Sequence, residues 1–261
     1  LFDSYINKMD DPYFISDLKR RLNYAVLQNI DTIILTGTGE ALQNIPYLST
    51  LDVILKNMNN PFPIIELQTS GVMLTDENLK FLRDMGVSTI SISVSNLFDD
   101  DRNMEIIGVH PTLQFKLMDI CKKIIDLGFN IRLSLNMTND YVKIHPIQYF
   151  NKAKELGATQ ITFRELYNSN NNTNEDKWVI KNKLRSDQMD FIKKFILENG
   201  RSLYKLPFGA TVYSINGIST VVDSDCMNIK KDVNDEVLKY LILRENGKLY
   251  THWDDEGSLR F

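Results

Sequence analysis

Apolar positions along this chain recur with two alternating periods. From residue 15 to 27 they fall at helical spacing, as Ile15, Leu18, Leu22 and Val26, behind an Asp11-Pro12 helix start. Residues 31–35 then form a short apolar run that ends in Thr36-Gly37-Thr38-Gly39-Glu40. The exchange repeats with a helix over 48–58, closed by Asn59-Asn60-Pro61, and a strand over 64–68. Next come a helix from the Thr75 cap to Met85, with Gly86 as its stop, and an alternating strand over 88–94. An amphipathic helix over 112–127, a strand over 130–136, a helix over 146–156 and a strand over 159–165 continue the series. Strands that alternate with helices at this spacing predict βαβ units and a parallel sheet.

The rhythm breaks after residue 165. Residues 168–174 are polar and Asn-rich, and read as a mobile lid or a disordered link. A last helix is expected over 186–198. Beyond it, Asn216-Gly217 and Glu245-Asn246-Gly247 each stand between apolar runs, the pattern of β-hairpins. The predicted architecture over residues 1–205 is α/β with five parallel strands; the resemblance given below implies a partial parallel (β/α)6 TIM-like barrel, six-stranded when a first strand before Leu1 is counted. Residues 206–261 form a small C-terminal β-hairpin appendage, which is expected to cover the barrel mouth.

Composition narrows the function classes. The chain has 261 residues and a formal charge of −4, so a basic footprint for nucleic acid is missing. Its apolar runs are too short to cross a bilayer, so no membrane partner is expected. With only two cysteines, Cys121 and Cys226, a disulfide framework is excluded, and a cytoplasmic location is the default. His110, His145 and His252 lack ligand spacing, and no self-contained metal site is expected. The chain opens Leu1-Phe2-Asp3, which reads as the interior of a longer protein.

Parallel α/β folds bind ligands beyond the carboxyl ends of their strands. The first strand ends in Gly37-Thr38-Gly39-Glu40, where glycines admit a ligand to the backbone and the acid can hold an ammonium. A plain βα turn explains the same residues equally well. Leu42 stands where a dinucleotide fingerprint needs its third glycine. The second strand ends at Gln68-Thr69-Ser70-Gly71, and the third carries Ser91, Ser93 and Ser95. Arg132 and Arg164 lie in strands among apolar neighbours, either facing solvent in a structural ion pair or turned into a barrel mouth toward an anion. Cys121 belongs to a helix core face, whereas Cys226 is either a small buried residue or a hydrogen-atom donor at a substrate.

The order of these pieces resembles the radical S-adenosylmethionine superfamily. The likeness runs from Ile33 through Gly39-Glu40-Ala41-Leu42 and Glu66-Leu67-Gln68-Thr69-Ser70-Gly71 to Leu82-Arg83-Asp84-Met85-Gly86-Val87 and Ser93. It continues through Ile106-Ile107-Gly108, Leu127-Gly128-Phe129-Asn130-Ile131-Arg132 and Ile161-Thr162-Phe163-Arg164-Glu165, covering roughly residues 10 to 168. The nearest pattern is that of molybdopterin-precursor cyclases and peptide-modifying members. The resemblance implies reductive cleavage of S-adenosyl-L-methionine at a [4Fe-4S] cluster and hydrogen abstraction from a peptide or small molecule. It implies an electron donor such as flavodoxin or ferredoxin. Thr38, Gly39 and Glu40 would receive the methionyl ammonium, Thr69 and Ser93 the ribose and methionyl part, and Arg132 the methionyl carboxylate, with Arg164 also facing the cofactor. The cluster's Cys-x-x-x-Cys-x-x-Cys loop is not in these residues, and its ligands are expected upstream of Leu1. The cyclases' second-cluster cysteines are also lacking. Two alternatives stay open: a cluster-free (β/α) barrel lyase or aldolase using Glu40, Glu66 and Arg164, and a degenerate barrel that only binds a partner.

Overall fold

A computed structural model describes residues 12–37, 39–169, 171–206, 210–223, 240–244, 247–252 and 256–261. Helix α1 (Pro12–Leu27) leads into β1 (Thr32–Leu35), then α2 (Ile45–Asn57), β2 (Ile64–Thr69), α3 (Asp76–Asp84) and β3 (Thr89–Val94). Helices α4 (Asp100–Ile107) and α5 (Leu117–Asp126) precede β4 (Asn130–Met137), and α6 (Pro146–Glu155) precedes β5 (Gln160–Glu165). Two helices follow, α7 (Asn174–Asn182) and α8 (Ser186–Asn199), then β6 (Arg201–Lys205), β7 (Thr211–Ile215) and β8 (Ile218–Asp223). The short pair β9 (Ile242–Leu243) and β10 (Leu249–Tyr250) ends the described chain.

The strands form one eight-stranded sheet in the order β1-β2-β3-β4-β5-β8-β7-β6. From β1 to β5 and on to β8 every neighbouring pair is parallel, while β7 and β6 run antiparallel at one edge. This is an α/β fold of the partial TIM-like barrel kind with an added hairpin. Register is residue for residue: Ile90, Ile131 and then Leu133 with Ile161 stand beside one another on adjacent strands. These apolar positions, with Leu67, Ile92, Leu135 and Phe163, are buried on the helix side against Leu51, Leu82, Ile124 and Phe150.

Four features depart from the sequence reading. Helix α5 begins at Leu117, since Pro111–Leu113 forms a separate 3-10 turn. Helix α4 was not foreseen, although the Asp99 side chain accepts the Arg102 amide at its start and left-handed Gly108 (φ 76°) closes it. The boundary drawn after residue 205 falls inside the main sheet, because β8 is the sixth parallel strand, and β7, which a left-handed Asn216-Gly217 turn joins to β8, pairs on its other side with β6. The described end of the chain packs on α1: Phe261 stacks on Tyr24, with ring centroids 5.5 Å apart, and Arg20 lies over the same ring.

The fourth concerns residues 168–174, expected as a mobile link. Their described part is organised by one carboxylate. Asp176, only 3 % exposed, accepts the Ser169 amide at 2.7 Å, the Ser169 hydroxyl at 2.9 Å and the Thr173 amide at 3.2 Å. Thr173 in turn caps α7 by accepting the Asp176 amide. Burial alone would raise this carboxyl, but the hydrogen bonds from Ser169, Thr173 and Asn171 outweigh it and hold the group below its ordinary 3.8.

A depressed folded value contributes stability that is complete above the unfolded value and is lost as pH falls through the folded one. Asp176→Asn should therefore lower the melting temperature at pH 7, and the gap to the parent should close below about pH 4. Circular-dichroism melts at pH 7 and pH 3 check this; an equal gap at both would show that the charge is not what organises the loop.

Candidate functional site

On strands β2 to β5 every second residue, apart from Thr69 and Glu165 at strand ends, is apolar and faces the helices. The residues between them are almost all polar. They read Glu66 and Gln68 on β2, Thr89, Ser91 and Ser93 on β3, Arg132, Ser134 and Asn136 on β4, and Gln160, Thr162 and Arg164 on β5. Because the strands are in register, these residues align in rows across the sheet: Gln68-Ser91-Arg132-Gln160, then Ser93-Ser134-Thr162, then Asn136-Arg164. A parallel sheet packed on both faces is apolar on both. Here one face is polar.

The lowest of these rows is internally satisfied. Arg132 Nη1 lies 2.6 Å from Glu66 Oε2, and its Nε donates to Gln160 Oε1 at 2.9 Å. Glu66 is almost completely buried, with its side chain 4 % exposed against 30 % for Arg132. Arg132, expected from the resemblance to meet the methionyl carboxylate, thus already holds a carboxylate near the amino-terminal ends of the strands. Glu66, which a lyase reading would set beside Arg164, belongs to that same pair. Four residues of strand, about 13 Å of rise, separate the Arg132 row from the Arg164 row.

The upper rows are different. Ser134 is 2 % exposed and its hydroxyl has no hydrogen-bond partner among the described residues. Arg164, half-buried at the carboxyl end of β5, keeps its Nε buried without a partner and forms no ion pair among the described residues. Asn136 donates to the Ser95 hydroxyl at 3.2 Å. Buried Asn103 fixes the loop after β3 by accepting the Ser95 and Asn96 amides at 2.7 and 3.1 Å. Ser93 sits between these groups, half-buried.

The turn after β1 supplies the remaining acid. Glu40 Oε2 accepts the Thr69 hydroxyl at 2.6 Å and Oε1 accepts the Ser70 amide at 2.7 Å, so one carboxylate clasps the ends of β1 and β2. Thr69 also accepts the Gly71 amide at 3.0 Å, which commits its hydroxyl to this clasp. Gly71 has φ 97°, and a Cβ there would meet the Phe115 ring at 2.7 Å. Gly39 is exposed beside Glu40. Thr38 and Cys226 lie outside the described residues. Cys121 is a core thiol whose burial, with the Asp100 charge, pushes it up to about 12.

The sequence reading singled out Ser93, Arg164 and Glu40 but passed over Ser134, Asn136, Gln160 and Asn103. The first three of those stand on the polar phase of an alternation that the sequence displays on four strands. Asn103 carries no such signal, because it acts from a helix that was not foreseen. Among the described residues, no three His, Cys, Asp or Glu side chains are grouped to hold a metal ion. No helix there is long and apolar enough to cross a membrane.

The fold is a partial TIM-like barrel with one polar sheet face. By sequence, no family model matches the chain and no curated protein does. By structure it is similar to SuiB of Streptococcus suis. SuiB bound to the precursor peptide SuiA gives a TM-score of 0.52 at 17% identity, covering 70% of this chain and 38% of SuiB. SuiB bound to S-adenosylmethionine gives 0.53 at 16%, covering 70% and 40%. A third SuiB structure gives 0.59 at 14%, covering 91% and 53%. The likeness is one of fold, and the chain spans about half of SuiB's length or less.

Removing Arg132 would leave Glu66 as a buried, unpaired carboxylate. Arg132→Met should cost about 2 kcal/mol, below the 3–5 typical of fully enclosed pairs because Arg132 is partly exposed. Adding Glu66→Leu should restore most of the loss, since both charges are then gone. Urea unfolding of the two variants measures the difference; equal destabilisation would mean that the pair is not what the row depends on.

Proposed function

We propose that this chain is the S-adenosylmethionine-binding barrel of a radical enzyme that modifies a peptide or small molecule. The observation that carries the proposal is the polar face that ends at Arg164, whose Nε is buried without a partner among the described residues. A methionyl zwitterion needs an anion for its ammonium and a cation for its carboxylate. Glu40 is held rigid by two donors, and its carboxylate oxygens keep lone pairs for an ammonium. Arg164 has donors to offer a carboxylate, whereas Arg132 is engaged with Glu66. The unpartnered Ser134 hydroxyl, with Ser93 and Asn136, offers hydrogen bonds to a bound polar group.

The likeness in fold to SuiB, solved with S-adenosylmethionine and with a precursor peptide, supports both the cofactor and a peptide substrate. Reductive cleavage and hydrogen abstraction are chemistry that the cofactors supply when bound. The described residues offer no cysteine group for a [4Fe-4S] cluster, so their assigned part is to bind and orient S-adenosylmethionine and to shield it from water. An electron donor such as flavodoxin or ferredoxin belongs to the same proposal, as does a cytoplasmic setting.

Isothermal titration with S-adenosylmethionine tests the reading. The chain should bind it, and Arg164→Met should weaken binding roughly tenfold or more, the size of a lost charged hydrogen bond of about 1.5–3 kcal/mol. Glu40→Gln should weaken it too. A folded protein that takes up no S-adenosylmethionine, or an Arg164→Met protein of unchanged affinity, overturns the proposal.

A further inference from the structure

Helix α4 holds the chain just beyond β3 and, through it, a side chain on β4. Its Asn103 is 1 % exposed, and one side-chain oxygen accepts both the Ser95 and the Asn96 amides. Asn96 returns the contact, since its own side-chain oxygen accepts the Phe98 and Asp99 amides at 3.0 and 3.1 Å. Arg102 ties the same helix to the turn after β4 by donating to Asp140 at 2.8 Å. Ser95, buried and held in this way, meets the β4 segment twice. Its carbonyl accepts the Thr138 hydroxyl at 3.2 Å, and its hydroxyl accepts Asn136 Nδ2 at 3.2 Å.

Asn136 stands beside Arg164 in the upper polar row. An amide side chain has one donating and one accepting end, so the end turned to Ser95 decides which is left for a ligand. Here the nitrogen is spent on Ser95, and the oxygen remains, next to a guanidinium that can only donate. We propose that Asn103 is a positioning residue that acts through Ser95 to present the Asn136 oxygen to the ligand. The upper row then selects a group that carries an N–H or O–H beside an oxygen acceptor. A group with two acceptors side by side would leave the Asn136 oxygen unpaired, which disfavours it. The identity of the ligand rests on the cofactor reading; the hydrogen-bonded chain from Asn103 to Asn136 does not.

Without ligand, the heteronuclear Overhauser effect of the Asn136 side-chain amide reports how firmly it is held. The amide should be rigid in the parent and in Asn103→Asp, which keeps an oxygen for both backbone amides. It should be mobile in Asn103→Leu and in Ser95→Ala, the milder change that keeps the chain folded if the first does not. Isothermal titration with S-adenosylmethionine should follow the same order. Asn103→Leu and Ser95→Ala should each weaken binding about fivefold or more, the scale of a lost neutral hydrogen bond, while Asn103→Asp binds as the parent does. Asn136→Asp, which keeps an acceptor, should bind more tightly than Asn136→Leu. A mobile Asn136 amide in the parent, or an equally rigid one in every variant, overturns the proposal. So does unchanged affinity in Ser95→Ala, or an Asn103→Asp protein of weakened affinity. A parent that takes up no S-adenosylmethionine overturns the cofactor reading instead, and the rigidity of the Asn136 amide still decides the role of Asn103.

Discussion

Holding a single register across parallel strands β2 to β5 is the constraint on which the rest of this molecule depends. Each strand alternates apolar and polar residues, so a slip of one residue would turn the polar set into the helix layer and the apolar set out of it. Ile90, Ile131, Leu133, Ile161 and Phe163 keep the register from one side by burial among helix side chains. From the other side Arg132, bonded to Gln160 in its own row and to Glu66 in the row below, ties three strands by charged and neutral hydrogen bonds. An ion pair of this kind adds little net stability over a well-packed apolar row, but it strongly penalises any arrangement that separates its members. The lower row thus fixes alignment, and the upper rows are left with polar groups that the fold itself does not satisfy.

That division explains which residues can act. Groups already engaged hold the frame. Thr69 does so at the carboxyl end of β2, where its hydroxyl donates to Glu40 at 2.6 Å and accepts the Gly71 amide. Asn103 does so behind β3, where two backbone amides converge on its side-chain oxygen. Ser134 and Arg164 stand apart because nothing in the described protein meets their buried atoms. Buried polar atoms are ordinarily paired, and these two, on adjacent rows of one face, are what the proposed cofactor site rests on.

The fold was largely legible in the sequence because period-2 and period-3.6 patterns alternate cleanly as far as residue 165. What escaped was decided by contacts between segments. Strand β8 looked like half of an isolated hairpin; its parallel pairing with β5 depends on α7 and α8 carrying the chain back across the sheet. The Asn-rich stretch looked disordered by composition, yet one carboxylate from the next helix gathers its amides. For the site, strand position alone cannot say whether an arginine is free. Arg132 and Arg164 sit alike among apolar neighbours, and only the third dimension supplies Glu66 to one and to the other no ion-pair partner among the described residues.

The difference between the two arginines follows from depth along the strands. Low on the face, β2 stands close enough to place a glutamate beside β4, and a charge buried there without a partner would be untenable. At the carboxyl ends Arg164 is half-buried, so its charge stays partly solvated although its Nε meets no partner among the described residues. Glu40 shows the same economy at the opposite edge, anchored by two donors yet half-buried rather than enclosed. A fold that satisfies its charges at the bottom and leaves them open at the top gives a ligand directional reason to bind at the carboxyl ends, where parallel α/β architectures place their chemistry.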